Sequence, residues 1–203
     1  MGCRPRELAV PRPKLEPLDI KCKDTDCQNG RHSFRTTSNR TTRTESGRCR
    51  ECGADLVDWS RVERRDFDAV EYTITALEYE LIRHHYWHLP IDERAINYAR
   101  RKGWHRLEAA VTNRLQRVVG IKTGFDGRQT PKRGNPIFYA QHATATCCRM
   151  CVEEWHGIPQ EQPLTHEQIL YLTELCMLYL RQRLPNLTEY GEKVPPIRNA
   201  KRS

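Results

Sequence analysis

The stretch Gln141-His142-Ala-Thr-Ala-Thr-Cys147-Cys148-Arg149-Met150-Cys151, closed by Trp155-His156, places three cysteines and two histidines within fifteen residues. Sulfur and imidazole donors at such separations match the tetrahedral coordination of Zn2+. They restrict the fold to one that brings a turn, and the elements flanking it, around a single point.

Three geometries satisfy these residues. A closed structural site would take Cys147, Cys148 and Cys151 with His142, His156 or both. An open catalytic site would keep three protein ligands and a water, with Asp126 or Glu153 as base. A redox site would use the adjacent Cys147 and Cys148, although vicinal cysteines bridge only with strain. Thiolate-rich coordination is characteristic of closed sites, so the structural reading leads.

A second group of thiols lies upstream. Cys22-x4-Cys27 and Cys49-Arg-Glu-Cys52-Gly53 form the two pairs of a zinc ribbon, with Gly53 freeing the backbone to wrap its amides around the second pair. His32 could substitute for one of these cysteines, but a loop histidine is the leading reading, because four thiols already complete a tetrahedron. Nine cysteines in a secreted chain would suggest disulfides. Here the N-terminus Met1-Gly-Cys-Arg-Pro-Arg lacks the apolar centre of a signal peptide, and no run approaches the roughly eighteen apolar residues of a membrane span. The expectation is a cytoplasmic protein, off the membrane, holding two Zn2+ per chain.

The remaining chain reads as mainly α, an N-terminal zinc ribbon followed by a zinc-stapled helical domain. Residues 1–19, with Pro5, Pro11, Pro13 and Pro17, suit a flexible arm; 20–60 the ribbon; 61–184 the helical domain; 185–203 a basic tail. Ser60-Arg-Val-Glu63 matches a capping box, and Phe67, Val70, Ile74, Leu77 and Leu81 form a stripe that predicts one long helix stopped by Leu89-Pro90. His84 and His88 continue that stripe, as core histidines or as a metal-binding pair. Asp92 caps a helix ending at Gly103, and a second runs from Trp104 to Val119. Ile137–Ala140 reads as a buried extended segment, and Thr165-His-Glu-Gln168 opens a central apolar helix to about Leu184 that contains Cys176 as a buried hydrophobe.

Charge points to an anionic partner. Residues 94 to 133 hold eleven Lys or Arg against Glu108 and Asp126. Such an excess suits phosphate contact, through Arg100, Arg101 and Lys102 with Trp104 as a stacking platform, and through Arg128, Lys132 and Arg133. Arg35, Arg40 and Arg43 in the loop between the cysteine pairs extend the set. A solvated charged surface is the plainer alternative.

The run Asp126-Gly-Arg-Gln-Thr-Pro131, then Arg-Gly-Asn-Pro136-Ile-Phe-Tyr-Ala-Gln-His-Ala-Thr-Ala-Thr-Cys-Cys-Arg-Met-Cys151, then Trp155-His156-Gly-Ile-Pro159, resembles the bacterial domain-of-unknown-function family 4186 over about residues 100–184. Asn135 stands where the family's pattern has His, and Glu108-Ala109 where it has Ser-His. The resemblance implies a small helical domain bearing the Cys/His cluster and no particular activity. From the residues themselves, the leading expectation is a zinc-binding, basic, nucleic-acid-binding protein without catalysis. The alternatives are a metal-dependent, nuclease-like hydrolase drawing on His84, His88, His142 and Asp126, and an adaptor subunit of a larger protein complex.

Overall fold

The computed structural model describes residues 20–34, 47–121 and 129–194. Among the described residues it contains seven α-helices and no strand: α1 Trp59–Arg64, α2 Val70–Leu77, α3 Leu81–His88, α4 Glu93–Val118, α5 Pro136–Ala143, α6 Arg149–His156 and α7 His166–Arg183. The chain is mainly helical, as composition and periodicity predict. Arg35, Arg40, Arg43, Asp126 and Arg128 lie outside the described residues.

The expected long helix from Ser60 is divided. Asp58, two residues before Ser60, caps α1 by accepting from the Arg61 amide. Arg65 then turns left-handed at φ 52°, and Asp66 starts a fresh 3-10 turn by capping Ala69. A second break separates α2 from α3, and its cause is tertiary. The His32 amide donates to Tyr79 O at 2.7 Å, and the Leu81 amide donates to His32 O at 3.0 Å. The N-terminal segment thus pairs with the backbone at Glu80 and takes up groups that a continuous helix would bond internally.

That break re-phases the apolar stripe. α3 buries Ile82, Arg83, Tyr86 and Trp87, leaving His84 half-buried and His88 exposed. The two imidazoles stand 4.0 Å apart, with His88 Nδ1 2.8 Å from His84 O. Phe67, placed on the stripe by periodicity, is 66 % exposed. Leu89-Pro90 ends α3 as expected.

Asp92 caps α4 through the Ala95 amide, and the same carboxylate accepts from Tyr139 Oη and the Gly134 amide. Gly103, at φ 63° and ψ 173°, kinks the helix where the sequence predicts one helix ending and another beginning. Residues 188–192 fill that kink: the Trp104 and His105 amides donate to Thr188 O and Glu189 O, and the Glu192 amide donates to Arg100 O. The first part of the expected basic tail is therefore packed against α4.

Residues 137–140 form part of a helix instead of an extended segment. Pro136 supplies a pre-set first-turn φ and Asn135 accepts from the Ile137 amide, so the short apolar run satisfies its backbone locally while burying Ile137, Tyr139 and Ala140. The Thr165–Gln168 capping box is complete in both directions and opens α7. Ile169, Leu172, Leu175, Met177 and Leu180 of α7 are buried, and the helix packs along α4 and α5. Cys176 is also buried there, beside the Thr144 and Thr146 hydroxyls, so it fills the core as a small apolar group.

Candidate metal centres

Two groups of donors converge. In the first, Cys27, His32, Cys49 and Cys52 place their ligand atoms within 4.8 Å of one another. Cys27 and Cys49 sulfurs are 3.7 Å apart, and Cys52 Sγ is 3.4 Å from His32 Nδ1. With Zn–S near 2.3 Å and Zn–N near 2.0 Å, a regular tetrahedron has edges of about 3.8 Å between sulfurs and about 3.5 Å between sulfur and nitrogen. The donor set and its spacing fit a metal ion of that kind.

Local backbone shapes this centre. Cys27 opens a 3-10 turn closed by left-handed Gly30, and Cys49–Cys52 form a knuckle in which the Gly53 amide donates to Cys49 O. Burial would raise the Cys49 thiol, but amides of Cys52, Ser33 and Glu51, with the His32 ring, outweigh it and hold the thiol at about 6. Burial and the Cys52 and Cys49 sulfurs push Cys27 up to about 11. One sulfur is thus prepared as a thiolate, while its neighbour needs a cation to ionise beside it.

The membership differs from the set expected from spacing. His32 stands where Cys22 was expected, because the His32 backbone is pinned to Tyr79 and Leu81 and its ring is turned toward Cys52. Among the described residues 20–34 and 47–58 there is no strand, only isolated bridges that pair Asp26 with Arg31 and His32 with Glu80.

The second group is Cys147, Cys148 and Cys151, all buried, at the turn into α6. Cys22 is not one of these three, but its thiol interacts with that of Cys151 and helps to raise it. Its carbonyl accepts from Ser33 Oγ at 3.3 Å, which ties the Cys22 end of the segment to the His32 end. The thiol of Cys147 chiefly, and then burial, push Cys148 up to about 12. Three thiols this close ionise together only against positive charge.

Part of that charge is present. Arg83, 1 % exposed, donates from Nη2 to the Cys151 sulfur at 3.3 Å and from Nη1 to His142 O at 2.7 Å, with the Cys147 sulfur 3.9 Å from Nη1. Its Nε donates to Glu80 Oε2 at 2.8 Å, and the Trp155 indole donates to the same oxygen at 2.9 Å. Burial opposes the charge on Arg83, but Cys151, Glu80, Cys147 and Cys22 together hold it protonated. Burial raises the Glu80 carboxyl, and Arg83 and Trp155 draw it back toward the ionised form. Nothing in the local sequence marks Arg83 or Glu80 as partners of cysteines more than sixty residues downstream. The one available signal was an arginine and a glutamate at i, i+3 inside an apolar stripe.

The histidines expected to complete this group lie elsewhere. His142 stacks on Tyr86 at 4.6 Å with its Nε2 3.2 Å from Pro131 O. His156 Nε2 is 3.0 Å from Thr144 O. The reason for His156 is helical geometry: five residues on from Cys151, at about 100° per residue, it is rotated about 140° away from the sulfur. Phe34 and Trp59 lie 5.8 and 5.1 Å from Trp155, which packs the segment after His32 and the start of α1 against α6.

The expected phosphate contacts are distributed differently. Arg100 is paired with Glu192 at 2.8 Å, and Trp104, half-buried, lines an open cavity with Pro185 and Glu189. Lys102 lies over the Tyr98 ring at 5.2 Å, and Arg101 and Lys132 are exposed, with Arg133 half-buried.

The family model described as Domain of unknown function (DUF4186) matches residues 71–181, and the chain belongs to that family. The match begins earlier than the resemblance read from the sequence, so Glu80 and Arg83 fall within it beside Cys147, Cys148 and Cys151. The first centre and Cys22 lie outside the matched residues. No solved structure matches the chain.

Proposed function

We propose that this member of the DUF4186 family is a non-catalytic, zinc-stapled protein that binds nucleic acid through the cationic face of α4. In this reading the first Zn2+ is held by Cys27, His32, Cys49 and Cys52, and the second by Cys147, Cys148, Cys151 and Cys22. Bound zinc supplies cross-links and charge neutralisation at these positions. The chain's own residues do the rest: Arg83 hydrogen-bonds the sulfurs, Glu80 fixes Arg83, and the segment between Cys22 and His32 straps α3 to α6.

The observation that carries the binding role is the charge pattern on α4. Seven of its residues are Lys or Arg, and among the described residues only Arg100 has a carboxylate partner. Arg94, Arg101, Arg106 and Arg117 are exposed. Unneutralised cations on both sides of the Gly103 kink are suited to phosphate contact, and such binding releases counterions. Fluorescence anisotropy with labelled single- and double-stranded DNA and RNA tests the proposal. Affinity should fall by at least ten-fold between 50 and 200 mM salt for the preferred form. A flat response, or binding unaltered in an Arg101→Ala/Arg106→Ala variant, would falsify it.

A further inference from the structure

A cavity of about 480 Å³ opens between α4 and the start of α5. Lys102, Arg114 and Arg117 line it, and none of its described lining residues is acidic. Arg114 is half-buried and braced: Nε donates to Gln141 Oε1 at 3.2 Å, Nη2 donates to Gln129 O at 2.9 Å, and the guanidinium lies 4.7 Å over the Phe138 ring. Burial first, and then the charge of Arg117, lower the basicity of Arg114. Arg114 and Arg117, three residues apart on one helix, both line the cavity with no carboxylate among its described lining, an arrangement that an entering anion stabilises.

The rest of the lining selects more than charge. Tyr98 and Phe138 present aromatic surface, Ile137 and Val118 apolar surface, and Asn113 and Asn135 amide groups suited to the edge of a heterocycle. The volume falls in the range of small organic ligand sites and greatly exceeds what inorganic phosphate fills.

We infer that this cavity binds a nucleoside monophosphate, its phosphate held by Lys102, Arg114 and Arg117 and its base set between the aromatic and amide walls. The monophosphate is either a free nucleotide or the 5′-phosphorylated end of a strand; only the strand source rests on the nucleic-acid reading above. Arg114 and Arg117 act as forked donors to the phosphate oxygens, and Lys102 as a compact point charge.

The test is calorimetric titration of the full, zinc-loaded chain with adenosine monophosphate, adenosine and inorganic phosphate. It is paired with anisotropy using one oligonucleotide carrying either a 5′-phosphate or a 5′-hydroxyl. Adenosine monophosphate should bind at least ten-fold tighter than adenosine or phosphate. Lys102→Ala/Arg117→Ala should weaken it at least ten-fold, and Arg117→Glu, at an exposed position, serves as the second variant. Arg114 is left intact because it ties α4 to α5. A ten-fold preference for the 5′-phosphorylated strand assigns the strand end, and equal strand affinities beside tight nucleotide binding assign the free nucleotide. Nucleotide affinity equal to that of phosphate, or unchanged in both variants, overturns the inference. Salt-dependent strand binding that persists in the Lys102→Ala/Arg117→Ala variant would leave the α4 surface reading intact.

Discussion

Arg83 Nη2 lies 3.3 Å from the sulfur of Cys151, and both side chains are about 1 % exposed. The same guanidinium holds Glu80 at 2.8 Å, so a single buried cation joins a carboxylate to the thiol cluster. Arg83→Met leaves Glu80 as a buried charge with one indole donor and should destabilise the fold by about 3–5 kcal/mol. Urea unfolding of the zinc-loaded protein measures this. Adding Glu80→Gln to that variant should recover part of the loss, whereas a cost below about 1 kcal/mol in the single variant contradicts the assigned role.

Cys22 and His32 lie ten residues apart and point to different centres. Cys22→Ser should therefore weaken metal at the second centre alone, and His32→Ala at the first alone. Cobalt substitution separates the two, since thiolate-to-cobalt absorption scales with the number of sulfurs bound. Cys22→Ser should remove about one sulfur's share of the intensity, and His32→Ala should remove none. Identical spectra for Cys22→Ser and the parent would exclude Cys22 as a ligand.

Gly103 sits at φ 63°, and a Cβ there would fall 2.5 Å from Glu189 O and 2.5 Å from Tyr190 C. Gly103→Ala therefore combines backbone strain with expulsion of residues 188–192 from the kink. The expected cost is about 1–3 kcal/mol, with faster proteolytic cleavage after residue 184. Unaltered cleavage would show that the C-terminal segment is held by other contacts.

His142 supplies a pH dependence. Burial, followed by the charge of Arg83, lowers its imidazole from 6.5 to about 4. The unfolded chain takes up the proton first as pH falls, so the stability carried by neutral His142 is complete above about 6.5, is lost between 6.5 and about 4, and changes no further below that. The ceiling on this effect is about 3 kcal/mol. His142→Gln should flatten the stability profile across that window in thermal unfolding at saturating zinc; a parallel profile would contradict the assignment.

Several elements were legible because their causes are local. Asp92, Gly103, Thr165 with Gln168, and Leu89-Pro90 mark helix boundaries through their own backbone and side-chain bonds, and each boundary lies where those residues predict. Cys147, Cys148 and Cys151 meet because they share one turn into a helix. The expected long helix is broken twice, locally at Arg65 and Asp66 and again at Glu80 by pairing with His32, forty-eight residues away. Residues 137–140 depart from expectation for a local reason: a four-residue apolar run carries no period, and capping by Asn135 decides for helix.

The sequence by itself determined that this chain is helical, basic and provided with two concentrations of metal-binding donors, since propensity, capping, charge and short spacings act over a few residues. Tertiary structure alone decided which donors meet. The backbone pairing of His32 with residues 79 and 81 turns its imidazole toward Cys52 and leaves Cys22 beside Cys151, while helical rotation carries His156 away to Thr144. Donor partition between two centres depends on distances across the fold, and spacing along the chain cannot encode those until the helices have packed.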